Sequence, residues 1–152
     1  KRVTDKYYVP LIINDRLDIC LAVDAAGVHL GQTDLPCSEA RRILGAEKII
    51  GVSAATPEEA AKAQSDGADY LGVGAVFATS TKTNTRPVTA ETIRAIRSAV
   101  DIPFVVIGGV NSENISGLHG LGINGAAVIS AIISQPDITA AARKMRQAAE
   151  RL

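Results

Sequence analysis

The residues that follow one apolar run are the first candidates for chemistry. The run at 71–74 leads into a segment that carries Thr79, Thr81 and Lys82. Hydroxyl groups donate hydrogen bonds to phosphate oxygens, and an ammonium group balances the charge of a departing phosphate. In a parallel barrel, fully apolar strands end in the loops that form the catalytic face. The segment 79–82 therefore predicts a substrate with phosphate and a charged leaving group.

A second apolar run, at 104–107, ends in two adjacent glycines. Gly108 and Gly109 carry no side chains, so their backbone N–H groups could approach a phosphate closely. Ser130 follows the last apolar run, and the ends of the last two strands are the usual phosphate site of a barrel. A tight turn is the alternative interpretation of the glycine pair. Both strand ends indicate an enzyme that handles phosphorylated small molecules.

Two carboxylates follow the first two apolar runs. Asp15 comes after the run at 10–14, and Asp34 comes shortly after the run at 27–30. If these runs are adjacent parallel strands, the two carboxylates lie at one end of the sheet and can share a hard cation. Mg²⁺ suits such a site because it takes few carboxylates and completes its shell with water and phosphate oxygens. For each aspartate alone, capping of the next helix is the alternative.

Ser53 and the two histidines are the remaining polar candidates. Ser53 follows the run at 49–52 and either donates to a phosphate or begins a turn. His29 lies inside an apolar run, so we expect it to be packed or hydrogen-bonded in the strand wall. His119 lies in a glycine-rich turn that we expect to be exposed. We predict that neither histidine is the catalytic base.

The positioning of these residues depends on repeated strand–helix units. Amphipathic stretches separate six short apolar runs, at 10–14, 27–30, 49–52, 70–73, 104–107 and 126–129. This alternation predicts a parallel α/β sheet with right-handed crossovers, either an open doubly wound sheet or a barrel.

Local signals predict where several helices begin and end. Thr56 and Glu59 form a capping box around Pro57, Thr89 caps a later helix, and the last helix begins near Asp137. Three glycines that precede apolar runs are expected at helix C-caps with positive φ: Gly27, Gly67 and Gly125.

Composition restricts the class of protein. The 152 residues suffice for one domain with a core, and a formal net charge of zero gives no reason to expect nucleic acid or an anionic membrane. There is no apolar run of bilayer length and no secretory signal in this sequence. Cys20 and Cys37 lack metal-ligand spacing, so we expect reduced, buried thiols in a cytoplasmic protein.

Taken in order, the strand-end segments resemble those of the thiamine-phosphate synthase family. The segments are 12–16 (IINDR), 27–34 (GVHLGQTD), 51–53 (GVS), 74–82 (GAVFATSTK), 107–110 (IGGV) and 128–132 (VISAI). The resemblance covers nearly the whole chain, and it implies a (βα)8 barrel of the TIM type. It also implies an Mg²⁺-dependent transferase that joins hydroxymethylpyrimidine pyrophosphate to thiazole phosphate and releases pyrophosphate.

The resemblance assigns roles to individual residues. Asp15 and Asp34 would hold Mg²⁺ on the pyrophosphate. The residues in contact with the pyrimidine pyrophosphate, and the catalytic candidates, would be Asn14, Ser53 and Lys82. The residues around the thiazole phosphate would be Thr79, Ser80, Thr81, Gly109, Ile129 and Ser130. The thiazole nitrogen is the nucleophile, so the reaction needs no strong protein base.

Two departures from the family pattern leave alternatives open. Ala55 stands where the family usually has a polar residue, often histidine. Family members begin with two more strands, so we expect residues 1–152 to form a single, N-terminally incomplete barrel domain with about six of the eight βα units. Open sheet edges favour pairing with another chain, including a second copy, and put the activity of this chain in question.

The alternative functions are a thiazole tautomerase-like isomerase and a non-catalytic thiazole-phosphate binding or regulatory domain. The carboxylate pair and the segment 79–82 argue against the isomerase, because an isomerase has no pyrophosphate to hold.

Overall fold

Six parallel strands in sequence order form the sheet of the computed structural model, which describes residues 1–78, 87–150 and 152. The strands coincide with the six predicted apolar runs to within a few residues. They are β1 (Ile12–Asn14), β2 (Gly27–Leu30), β3 (Ile49–Ala54), β4 (Tyr70–Gly74), β5 (Phe104–Ile107) and β6 (Gly125–Ala127).

One helix precedes the first strand, and others connect neighbouring strands or follow the last strand. They are α1 (Arg2–Lys6), α2 (Leu17–Ala22), α3 (Cys37–Leu44), α4 (Pro57–Ser65), α5 (Ala90–Ala99), α6 (Ser130–Ile133) and α7 (Ile138–Ala149), with a 3₁₀ turn at Ile115–Leu118. Among the described residues, none of these helices combines the length and apolar character needed to cross a bilayer.

The strand order distinguishes between the two predicted architectures. Each strand pairs in parallel with its sequence neighbours, from β1 to β6 without a reversal. A doubly wound sheet reverses direction at a switch point, whereas a barrel wall keeps the sequence order. The α/β parallel sheet is therefore confirmed, and its order is that of a barrel wall. That the complete barrel has eight βα units stays a prediction.

The core consists of apolar side chains between the sheet and the helices. Phe104 and Leu71 from the strands are fully buried, as are Ile93 and Ile96 from α5. The spacing of Ile93 and Ile96 places them on one face of α5, as the sequence predicts. No buried residue in the described part of the chain is polar or charged.

Cys20 and Cys37 are both buried and unpaired. Burial raises the pKa of both thiols. The prediction of reduced thiols in packed positions is thus confirmed.

The predicted helix starts are confirmed in their hydrogen bonds. Thr56 Oγ1 accepts from Glu59 N at 3.2 Å, and Glu59 Oε2 accepts from Ala55 N at 2.7 Å. The carboxylate thus reaches the residue before the cap. Thr89 Oγ1 accepts from the backbone N–H of residue 92 at 3.3 Å, and Asp137 Oδ1 from that of residue 140 at 2.9 Å.

Thr56→Ala is expected to lower the free energy of unfolding by about 1 kcal/mol, because α4 loses the acceptor for one of its free N–H groups. Urea denaturation followed by circular dichroism measures the change. Thr56→Ser is the matched control, since it keeps the oxygen and should recover most of the loss. Equal stability of the alanine and serine variants would contradict this role.

The C-cap prediction for glycines is correct at one of three positions. Gly67 follows α4 with φ +95°, as expected. Gly27 and Gly125 do not have positive φ and instead begin β2 and β6. At Gly27 a Cβ would lie 2.0 Å from the carbonyl oxygen of Ile49, so close approach of β3 explains this glycine. The left-handed glycine after α3 is Gly45, which the sequence reasoning missed.

Candidate active site

The carboxyl ends of the strands collect most of the predicted site residues on one edge of the sheet. Asn14 ends β1, and Asp15 follows it directly. Asp34 lies in the loop after β2, and Ser53 lies near the end of β3. The other members of this set follow β5 and β6 and are Gly109, Ile129 and Ser130. Four predicted residues lie outside the described residues: Thr79, Ser80, Thr81 and Lys82.

Asp15 is held by its backbone. Its N–H donates to the carbonyl oxygen of His29 at 2.8 Å, which extends the β1–β2 ladder one residue beyond the strand. The residue has φ +64°, a left-handed conformation that aspartate tolerates better than most residues. Asp15 is exposed at this edge. The backbone of Asp15 is therefore fixed at the end of β1, and its carboxylate projects from a defined position.

Asp34 is held by its side chain. Its Oδ2 accepts from the backbone N–H of Gly31 at 2.6 Å, and its own N–H donates to the carbonyl of Gly31 at 3.2 Å. These bonds close the loop after β2 into a turn and keep the carboxylate beside the end of the strand. Oδ1 of the same carboxylate accepts no hydrogen bond from the described residues, so it can bind a ligand.

The capping alternative is wrong for both aspartates. The N-cap residue of α2 is Arg16 and that of α3 is Pro36, so neither aspartate occupies an N-cap position.

The donor set fits Mg²⁺ better than a metal with an all-protein ligand shell. The described residues contain no group of three or more His, Cys, Asp or Glu side chains arranged to hold a metal ion. Two carboxylates at the ends of adjacent parallel strands provide hard oxygen ligands but leave most of a shell unfilled. Mg²⁺ is commonly bound through one or two carboxylates, with water and substrate phosphates completing the octahedron.

Ser53 lies inside β3 rather than in a turn, because the strand continues to Ala54. The turn interpretation of Ser53 is therefore wrong. Its Oγ lies 3.0 Å from Nε2 of His29, and its carbonyl oxygen accepts from Nε2 of Gln32 at 2.5 Å. Ser53 is half-buried. Both bonds tie the end of β3 to β2 and the loop after it.

His29 is hydrogen-bonded in the strand wall, as predicted. Its Nδ1 lies 3.0 Å from the hydroxyl oxygen of Tyr70, and the two rings are 5.5 Å apart between centroids. Burial raises the pKa of the Tyr70 phenol, so the hydroxyl keeps its proton at neutral pH. His119 is exposed, also as predicted.

Sequence reasoning missed Gln32 and Tyr70. Gln32 lies within the segment 27–34 but carries no spacing signal of its own. Tyr70 begins an apolar run and resembles a core residue. A usable signal was Gly51, where a Cβ would lie 2.1 Å from the ring of Tyr70. A glycine in a central strand often marks the close approach of another group.

The glycine pair after β5 packs against the start of the next loop. Gly108 and Gly109 have φ +98° and +65°. A Cβ at Gly109 would lie 2.4 Å from the carbonyl oxygen of Ala78, and Phe77 N donates to the carbonyl of Gly108 at 3.1 Å. Positive φ and close packing against the loop after β4 both account for glycine at these two positions. Phosphate binding at Gly109 stays a prediction.

Ile129 and Ser130 lie where the last strand gives way to a helix. Ile129 is the N-cap of α6, its side chain is 48% exposed, and its carbonyl accepts from the N–H groups of residues 132 and 133. Ser130 is the first residue of α6 and is exposed. The half-exposed Ile129 provides an apolar surface beside the edge that carries the polar candidates.

Comparisons with known proteins agree with this arrangement. The family model described as thiamine monophosphate synthase matches residues 1–132, a range that contains every candidate site residue. Thiamine-phosphate synthase of Ruminiclostridium cellulolyticum is 58% identical over 145 residues, which are 95% of this chain and 69% of that protein. Thiamine-phosphate synthase of Clostridium botulinum is 51% identical over 152 residues, which are 100% of this chain and 71% of that protein.

Solved structures show the same relationship. Thiamine phosphate pyrophosphorylase from Pyrococcus furiosus has a TM-score of 0.90 at 40% identity, over 98% of this chain and 71% of that one. 3-Hexulose-6-phosphate synthase, with a TM-score of 0.63 at 21% identity over 88% of this chain and 66% of that one, shows the fold alone. The resemblance predicted from the strand-end segments is confirmed: this chain belongs to the thiamine monophosphate synthase family.

Proposed function

We propose that the chain is a transferase that condenses hydroxymethylpyrimidine pyrophosphate with thiazole phosphate to give thiamine phosphate and pyrophosphate. The observation that carries this proposal is the family match over residues 1–132, together with 58% identity to a protein named thiamine-phosphate synthase. The tautomerase alternative is not favoured, because the relatives at 51–58% identity carry the synthase name.

The electron balance of this reaction explains the types of residue at the site. The C–O bond between the pyrimidine methylene and the pyrophosphate breaks, and its electron pair leaves with the pyrophosphate. The lone pair of the thiazole nitrogen forms the new C–N bond. No proton is transferred in this step, so the site needs donors and cations rather than a base. His29, whose two ring nitrogens both have hydrogen-bond partners, is consistent with that requirement.

The pyrophosphate subsite that we propose lies at the ends of β1 and β2. Asp15 and Asp34 would hold Mg²⁺ there, and bound Mg²⁺ would neutralise the charge that grows on the leaving pyrophosphate. Asn14 and Ser53 offer an amide and a hydroxyl at the same edge. The Lys82 ammonium would add a positive charge to the leaving group.

The thiazole phosphate subsite that we propose lies at the ends of β5 and β6. Gly109 would donate its backbone N–H, and Ser130 its hydroxyl and N–H, while Ile129 would pack against the thiazole ring. Hydroxyl groups of the loop after β4 would complete the subsite, from Thr79, Ser80 and Thr81. Neutral donors fit a phosphate that stays attached throughout the reaction.

We also propose that the wall is completed beyond the six described strands. Within the part of the chain that the structure describes, β1 and β6 each pair on one side. Exposed apolar side chains precede β1 in the chain, among them Val3, Tyr8 and Val9. Unpaired edges favour added strands or association. A second copy of this chain could cover them, and the mass in solution, measured by light scattering, would reveal it.

A cytoplasmic site of action is also part of this proposal, supported by the two free cysteines.

Binding of pyrophosphate separates the synthase from its two alternatives. Calorimetric titration should show pyrophosphate binding with Mg²⁺ present and its loss when EDTA removes the metal, because the two carboxylates repel the anion without the cation. Thiazole phosphate should bind equally well with EDTA, which is the matched control. An isomerase or a thiazole-phosphate binding domain predicts no metal-supported pyrophosphate binding, and that result would contradict the proposal.

A further inference from the structure

Three side chains on adjacent strands form a continuous line of hydrogen bonds that leads to the candidate site. Tyr70 on β4 is bonded to Nδ1 of His29 on β2 at 3.0 Å, and Nε2 of the same imidazole is bonded to Ser53 on β3 at 3.0 Å. Ser53 lies near the carboxyl end of its strand, whereas Tyr70 begins its own strand. The line therefore runs from the amino end of the sheet towards the catalytic edge.

Two glycines make this line possible. In the sheet register, His29 is opposite Gly51, and Gly51 is opposite Tyr70. Because Gly51 has no side chain, the rings on β2 and β4 meet across β3, where a Cβ would lie 2.1 Å from the tyrosine ring. A Cβ at Gly72 would lie 3.0 Å from Cε1 of His29. The absence of side chains at both positions gives the two rings their space.

We infer that Tyr70 and His29 are positioning residues that fix the direction of the Ser53 hydroxyl proton. Tyr70 donates its proton to Nδ1, which leaves the imidazole as the Nε2–H tautomer. Nε2–H then donates to Ser53 Oγ. With one lone pair occupied in this way, Ser53 directs its own proton away from His29, towards an acceptor atom of the substrate. This role rests on the proposed function.

If the hydrogen bonds ran in the opposite direction, the proton of the half-buried Tyr70 hydroxyl would have no acceptor among the described residues. If Nδ1–H donated to Tyr70, the phenolic proton would need another partner, and His29 is the one hydrogen-bond partner of that hydroxyl among the described residues. A donor without an acceptor is costly to bury. The opposite direction would also direct the Ser53 proton into Nε2, and Ser53 would then offer only lone pairs to a substrate rich in acceptor oxygens.

The tautomer of His29 reports the direction of the Tyr70–His29–Ser53 hydrogen bonds, and measuring it requires no substrate. The chain has two histidines, so long-range ¹H–¹⁵N correlation spectra contain two imidazoles, and a His119→Gln variant assigns them. At a pH where the imidazoles are neutral, we expect His29 to be the Nε2–H tautomer. We expect Tyr70→Phe to produce a mixture of tautomers, since the donor to Nδ1 is lost. An Nδ1–H tautomer of His29, or a spectrum unchanged by Tyr70→Phe, would overturn the inference.

A double-mutant cycle tests the positioning role. Tyr70→Phe should lower kcat/KM about 3- to 10-fold, the value of one net hydrogen bond, while the ring stays over Gly51. In a Ser53→Ala background the same change should have no further effect, because no hydroxyl remains to be oriented. Tyr8→Phe is the matched control, since this tyrosine is 95% exposed. It should leave kcat/KM unchanged with and without the Ser53 hydroxyl.

The cycle separates positioning from a general structural role. If Tyr70→Phe costs the same with and without the Ser53 hydroxyl, Tyr70 does not act through Ser53, and the inference is wrong. If the unmodified chain gives no turnover, the proposed function fails instead. The tautomer spectrum then still decides the direction of the hydrogen bonds.

Discussion

Asp15→Asn is expected to weaken Mg²⁺-supported pyrophosphate binding by at least about 10- to 100-fold, the value of one charged interaction. Asparagine is the substitution of choice because the residue has φ +64°, a conformation that asparagine also tolerates. The backbone bond to His29 should therefore survive, and only the carboxylate charge is removed. Thiazole phosphate binding should stay within about twofold, since its proposed subsite lies at the other strands. Calorimetry of both ligands measures the difference.

The matched control for this variant is Asp101→Asn. Asp101 is exposed just before β5, at the amino ends of the strands, so it changes the net charge equally at the opposite edge of the sheet. We expect no change in either affinity. If Asp15→Asn lowered the affinities for pyrophosphate and thiazole phosphate equally, Asp15 would have a structural role and would not bind the metal.

Gly109→Ala is expected to have the largest effect on stability, with a loss of about 3 kcal/mol or more in the free energy of unfolding. The left-handed backbone at φ +65° costs a side chain about 1–2 kcal/mol. In addition, the new Cβ would lie 2.4 Å from the carbonyl oxygen of Ala78, so the backbone of the loop after β4 must move. Urea denaturation measures the loss, and titration of the folded protein should show weaker binding of thiazole phosphate.

Gly120→Ala separates the two causes. Gly120 has φ +73°, but apart from its neighbours in the chain no atom of the described residues lies within 4 Å of the position of its Cβ. This variant should therefore lose only the backbone contribution of about 1–2 kcal/mol. It should also bind thiazole phosphate normally. If both alanine variants lose the same stability, close packing of Gly109 against the loop is not important.

Periodicity located the strands well because each is a short apolar run buried in a parallel sheet. The ends were less predictable. β3 continues through Ser53 and Ala54, since these residues pair with Gly72 and Val73 of β4, and no local signal shows that pairing. β6 ends at Ala127, before the predicted end at residue 129, because its pairing with β5 is complete there.

The candidate site was predictable where it depends on strand order and not where it depends on register. Asp15 and Asp34 follow consecutive strands, so parallel pairing alone brings them to one edge. The contact between His29 and Tyr70 requires knowledge that both lie opposite Gly51. That alignment is a property of the assembled sheet. The same limit explains Gly27, whose neighbour across the sheet, and not its helix, excludes a side chain.

Formation of thiamine phosphate by this chain is the direct test of the proposed transferase reaction. The chain is incubated with hydroxymethylpyrimidine pyrophosphate, thiazole phosphate and Mg²⁺, and both products are quantified over time. We predict equal amounts of thiamine phosphate and pyrophosphate. Their formation should stop on addition of EDTA, slow strongly in Asp15→Asn, and continue unchanged in Asp101→Asn. Absence of product from the folded chain, or product that does not depend on Asp15, would contradict the proposed function and its carboxylate site.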